Sequence, residues 1–102
     1  MIKVEKFESV EAALNKLLEA NKKYVVIRHG LKREEEIKEH SHDVDEFVVF
    51  KEGHFRVGCD GKSKDFDLSN DVRVAFYPKN SKHYLKNLGD KLNYFVIRNL
   101  VE

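Results

Sequence analysis

The sequence predicts an all-β sandwich or barrel preceded by one α-helix. Three observations carry that expectation. Eight short runs rich in Val, Ile, Phe and Tyr follow one another between Tyr24 and Asn99, turn-forming residues separate them, and a single earlier segment repeats its apolar residues at helical spacing.

Residues Ile2 to Phe7 alternate apolar and charged side chains only roughly and predict a short first strand. The helix follows, from Ser9 to about Asn21. Ser9 is a good N-cap, and Val10, Ala13, Leu14, Leu17 and Leu18 form one apolar stripe behind it. Glu8 and Glu11 at the start and Lys22 and Lys23 at the end suit the helix dipole. The stripe needs cover, from a sheet face by preference or from a second subunit. The expected strands are Tyr24 to Arg28, Glu36 to His42, Glu46 to Lys51, His54 to Cys59, Lys64 to Leu68, Val72 to Tyr77, His83 to Asn87 and Leu92 to Asn99. Asp60-Gly61 marks a two-residue hairpin, Gly89-Asp90 suits a type II′ turn, and Glu52-Gly53 and Ser69-Asn70 are weaker breaks.

Composition narrows the function. With 102 residues the chain is long enough for one core and is expected to form one domain, the N-terminal strand and helix covering about 1–23 and the barrel about 24–102. Lys+Arg 19 against Asp+Glu 18 nearly cancel, so charge gives no case for nucleic acid or an anionic membrane. The lone Cys59 forms no internal disulfide, which fits a reducing compartment, and its alternation with Phe55 and Val57 reads as a buried small hydrophobe. The start MIKVEKF lacks the apolar core of a secretory signal, and no apolar run approaches the ~18 residues of a membrane span. The expectation is a cytoplasmic protein.

The chemistry concentrates in Lys38 to Gly53, which places His40, His42 and Glu46 within seven positions. Imidazole nitrogens with one carboxylate suit a divalent transition metal such as iron, manganese, nickel or zinc, whereas calcium or magnesium prefers oxygen ligands. If His40 and His42 share a strand they point the same way, because strand side chains alternate. Asp43 to Asp45 would then turn the chain, and Glu46 would begin the next strand facing the same interior. Val48 and Phe50 continue on its side. Phe47 and Val49, on the other side, are also apolar, so both faces of this strand should be covered. A carboxylate opening an apolar strand is costly to bury unpaired, and a cation removes that cost.

His40, His42, Glu46 and Gly53 fit HxHxxxE followed by six residues and Gly, and Pro78, Asn80, His83 and Asn87 fit PxGxxHxxxN. In both motifs, over about Glu36 to Asn87, the chain resembles a small single-domain cupin. The resemblance implies a jelly-roll β-barrel in which His40, His42, Glu46 and His83 hold one metal ion. Three positions depart from the pattern, with Glu34, Val72 and Asn80 standing where glycines are expected. Asn tolerates positive φ, so the turn at Asn80 should survive. The altered glycines affect loops rather than ligands.

Three imidazoles and a carboxylate leave coordination positions open for a small-molecule ligand or substrate. One reading is a metal-dependent enzyme of oxygenase or isomerase type, with no general base to nominate outside the ligands. A second is a non-catalytic small-molecule-binding or sensing module, and a third is metal binding for stability alone. His29 and His54 lie outside both motifs and are expected to be partly exposed without a ligand role. Tyr77, Tyr84 and Tyr94 read as core or interface, and Arg28 and Arg98 either line a pocket or face solvent. Small cupins commonly pair through their sheets, and Phe47, Val49 and the helix stripe give a local reason to expect a homodimer.

Overall fold

A computed structural model describes residues 3–20 and 24–99. Nine strands and one helix follow in the order β1 (Lys3–Phe7), α1 (Val10–Ala20), β2 (Tyr24–Lys32), β3 (Glu36–His40), β4 (Glu46–Phe50), β5 (Gly53–Cys59), β6 (Lys62–Leu68), β7 (Val72–Tyr77), β8 (His83–Asn87) and β9 (Lys91–Asn99). They form two antiparallel sheets, ordered β1-β7-β4-β9-β2 and β3-β8-β5-β6. Ile2, Asn21, Lys22 and Lys23 lie outside the described residues.

The space between the sheets holds the main core. Phe50 stacks on Phe55 with ring centroids 4.0 Å apart, and Leu31, Val48, Val57, Leu68, Leu85 and Leu92 pack around them. A second apolar layer lies outside the five-stranded sheet. There Ala13 and Leu17 of α1 cover Val49, Val72, Val74 and Ile97, with Phe47 and Phe95 at the margin. The helix therefore takes the sheet-face option. Ser9 caps it as expected, its Oγ accepting from the Ala12 amide at 3.0 Å.

The helix removes the local reason given for a homodimer, since Val49 is 1% exposed and Phe47 half-buried beneath it. Exposed apolar surface appears elsewhere. Tyr24, Val25, Val26 and Ile27 of β2, at one end of the five-stranded sheet, are 37–45% exposed. Strand β2 also runs to Lys32 rather than stopping at Arg28. It pairs with β9 along its whole length.

The turns follow the residue chemistry with one exception. Asp60 (φ 49°) and Gly61 (φ 82°) join β5 to β6 with the positive φ at both positions that a type I′ hairpin requires. Asn80 takes φ 66°, as expected. Glu34 also takes φ 66°, in a turn closed by the Glu35 amide donating to the Lys32 carbonyl at 3.1 Å, so glutamate keeps the shape a glycine would give. Gly89-Asp90 is not a type II′ turn, because Gly89 lacks the positive φ that turn needs. The reason is topological: β8 and β9 lie in different sheets and make no hairpin. The loop is held instead by the Leu88 amide donating to the His54 carbonyl at 2.8 Å.

Candidate metal centre

Register brings the site together. Across the five-stranded sheet Glu46 lies between Tyr77 and Arg98, and across the four-stranded sheet His83 lies between His40 and Cys59. Directly opposed residues share a face, so these two rows meet at one end of the interior. Tyr77 and His83 join them, their rings stacked 4.3 Å apart and 6° from parallel. This stacking fixes the His83 ring plane. Gly58 makes room alongside, since a Cβ there would sit inside the Tyr84 ring.

His42 arrives by another route than parity. Strand β3 stops at His40, with a register shift between Ile37 and His40, and His42 lies in the loop beyond it. That loop is anchored by the Asn80 amide donating to the His42 carbonyl at 2.6 Å and by the Lys79 amide donating to the Asp45 carboxylate at 2.8 Å. The loop contacts place His42 where strand alternation was expected to. His40, His42, Glu46 and His83 each offer one ligand atom, all within 4.8 Å of one another.

Hydrogen bonds set the tautomers. His40 Nδ1 lies 2.7 Å from the Lys38 carbonyl and His83 Nδ1 3.2 Å from the Ser81 carbonyl. A carbonyl only accepts, so both Nδ1 atoms carry protons and the Nε2 lone pairs face inward, as a metal-binding imidazole needs. His83 is 3% exposed, its Nε2 has no hydrogen-bond partner, and Glu46 Oε2 stands 3.1 Å away. A neutral imidazole nitrogen and a carboxylate oxygen both repel at that distance unless a proton or a metal cation lies between them. Two ligands about 2.1 Å from one ion at right angles stand ~3.0 Å apart, so the spacing suits a metal. The donor set fits a borderline divalent ion.

Arg98 completes the arrangement. Its Nε donates to Glu46 Oε1 at 2.9 Å, and its Nη2 lies 3.4 Å from His42 Nε2. Burial pushes the Glu46 carboxyl up, but the Arg98 guanidinium bonded to it, and a proton lying between it and His83 when no metal cation does, outweigh burial and hold Glu46 below its ordinary range. Burial pulls the His42 imidazole down. Arg98 adds to this against the opposing pull of Glu46, so His42 stays neutral further into acid than a free histidine.

A cavity of about 170 Å³ opens on the cluster, walled by Ile27, Ile37, Val48, Leu85 and Val96, with His29, Tyr77, Tyr84, Tyr94 and Arg98 also lining it. The three tyrosines read as core or interface residues, and all three reach the cavity. Tyr77 and Tyr94 are in the core as well. Burial and the Glu46 carboxylate push the Tyr94 hydroxyl up to about 12 and hold Tyr77 above the usual phenol range. Arg28 faces the outer groove beside Val49 and Phe95. His54 is exposed, and Cys59 is a buried free thiol. His29 sits in neither motif, so no sequence signal marks it as a cavity residue. It enters the cavity through the β2–β9 register that sets it opposite Tyr94, and no local pattern reports that pairing.

No family model matches the chain, and no curated protein matches it. Solved structures do. An RmlC-like cupin family protein with a double-stranded β-helix fold from Methanocaldococcus jannaschii matches with TM-score 0.64 and 19% identity over 97% of this chain and 80% of that one. A predicted oxalate decarboxylase from Thermotoga maritima matches with TM-score 0.64 and 18% identity over 98% and 81%. A conserved protein of unknown function from Streptococcus pyogenes matches with TM-score 0.65 and 16% identity over 78% of this chain and 66% of its own length. The chain has the cupin fold, with a three-histidine, one-glutamate cluster that could hold a metal ion. Among the described residues no helix is long and apolar enough to cross a membrane.

Proposed function

We propose that residues 1–102 form one metal-binding cupin domain in which His40, His42, Glu46 and His83 bind one divalent transition metal, and that the protein is an enzyme acting on a small molecule in the adjoining cavity. The observation that carries this is the buried Nε2 of His83, without a hydrogen-bond partner and 3.1 Å from a carboxylate oxygen. When bound, such a metal supplies Lewis acidity and open positions for substrate or dioxygen, the common ground of the oxygenase and isomerase readings. The chain's own residues do the rest. Arg98 holds Glu46 by one oxygen and leaves the other for the ion, the Lys38 and Ser81 carbonyls orient two imidazoles, and the apolar wall excludes water. His29 is the cavity imidazole outside the cluster and the natural group to move a proton.

A non-catalytic binding module uses the same site and is favoured by nothing further. The two are told apart by turnover of a screened substrate that chelation abolishes. The metal reading itself is tested by elemental analysis of protein purified under reducing conditions and reconstituted with iron, manganese, nickel and zinc in turn. Wild type is expected to hold about one ion per chain, and His83→Ala to hold none while keeping its β circular dichroism. Wild type that takes up none of the four would refute the reading. We also infer a homodimer joined through Tyr24 to Ile27 of β2, which predicts that Val26→Lys gives a monomer mass in light scattering where wild type gives a dimer.

A further inference from the structure

We propose that the cavity takes a small organic anion, a carboxylate on a short apolar body, held between the metal and the guanidinium of Arg98. The proposal rests on the metal reading above and adds the ligand class.

Charge is the first ground. Among the described residues that line the cavity only Glu46 and Arg98 are formally charged with histidines neutral, and they cancel each other. A divalent ion therefore leaves two positive charges uncompensated beside an apolar wall, where an uncompensated charge is costly. An anion entering the cavity offsets them, and a neutral molecule does not.

The second ground is the donor geometry of Arg98. Its Nε is engaged by Glu46 at 2.9 Å, while Nη2 faces only His42 Nε2, at 3.4 Å, as a side-chain acceptor among the described residues. An ion that takes the His42 lone pair removes that acceptor. Metal binding thus leaves Nη2 unpaired beside the ion, positioned to donate to an oxygen of a metal-bound carboxylate. Ion and anion each prepare the site for the other, so their affinities must be coupled reciprocally.

Size and polarity give the third ground. A volume of about 170 Å³ is comparable to the liquid volume of roughly six water molecules. Beside the His29 imidazole and the rings of Tyr77, Tyr84 and Tyr94, Ile27, Ile37, Val48, Leu85 and Val96 make most of the remaining wall hydrocarbon, so the part of the ligand beyond its carboxylate is short and largely apolar.

The test uses cobalt(II), whose visible spectrum reports its coordination, with isobutyrate as probe and isobutyramide as its neutral counterpart. Chelator-stripped protein is loaded with cobalt, and binding is followed by the spectrum and by calorimetry. Isobutyrate should shift the cobalt bands and bind loaded protein at least roughly tenfold more tightly than isobutyramide, and more tightly than it binds metal-free protein. Arg98→Met, brought to saturation with cobalt, should lose roughly 10- to 100-fold in isobutyrate affinity, the worth of one hydrogen bond to a charged group. Should Arg98→Met fail to hold cobalt, Arg98→Lys decides, with an affinity below wild type expected. Equal binding of acid and amide, equal binding with and without cobalt, or an unchanged arginine variant would each overturn the proposal while leaving the metal reading intact. Failure of wild type to take up cobalt or any other ion overturns both.

Discussion

The inward row of β4 has two ends that differ in kind. At one end Phe50, 1% exposed, stacks on Phe55 and lies tilted against Tyr94 within the apolar core. At the other, four residues away, Glu46 is almost as buried at 4% but faces imidazoles, a guanidinium and a cavity. One strand thus joins a packed apolar end to a polar end that gathers the four-residue cluster able to hold a metal ion. Burial alone does not distinguish them; what each side chain can be paired with does.

Substitutions at the two ends should separate these contributions. Phe50→Ala is expected to cost about 3–5 kcal/mol in urea unfolding, because the tightly packed rings cannot close the hole. Its metal content, measured on the protein that remains folded, should be unchanged, and loss of metal there would show that the ends are not independent. Glu46→Gln should do the reverse, weakening metal binding by more than the ~10- to 100-fold typical of losing an outer hydrogen-bond partner. A competition titration with a coloured chelator reads that loss.

Acid should also distinguish the ends. In metal-free protein His42 titrates below its ordinary 6.5 and Glu46 below its ordinary 4.5. The unfolded chain therefore binds more protons than the folded one as pH falls through each value, and stability drops with it. The urea midpoint should be flat above pH 7, decline below about 6.5, and decline again below about 4.5. Glu46→Gln should shrink the second decline, to which Asp65, held low by its hydrogen bonds from Arg56, also contributes, and Phe50→Ala should keep both. The smallest effect lies away from both ends: Glu34→Gly should stabilise by up to ~1 kcal/mol, since glycine takes φ 66° without the Cβ penalty, partly offset by its greater freedom when unfolded.

Much of this molecule is legible in its sequence, because many of its rules are local. Runs rich in Val, Ile, Phe and Tyr between turn residues gave every strand of the barrel to within a few residues, Ser9 and its stripe gave the helix, and Asp60-Gly61 gave its hairpin. The four clustered residues were legible through motif spacing, although one step toward them was incorrect. His40 and His42 do not share a strand, and the loop contacts of Asn80 and Asp45 do the work assigned to parity. Gly89-Asp90 failed for a related reason: a turn signature cannot say whether its flanking strands are partners.

By itself the sequence determined the period of most segments, the helix cap and the Asp60-Gly61 turn, which depend on residues a few positions apart, while the four clustered residues came from the resemblance of two separated motifs. Only the tertiary structure decided who stands opposite whom. Register between strands 52 residues apart put Arg98 on Glu46, and another pairing put His29 beside Tyr94 at the cavity. Folding α1 onto the outer sheet face left β2, rather than Phe47 and Val49, as the exposed apolar strand. The reason is that cross-strand neighbours are selected by the burial of whole faces, a quantity summed over both sheets that no single stretch contains.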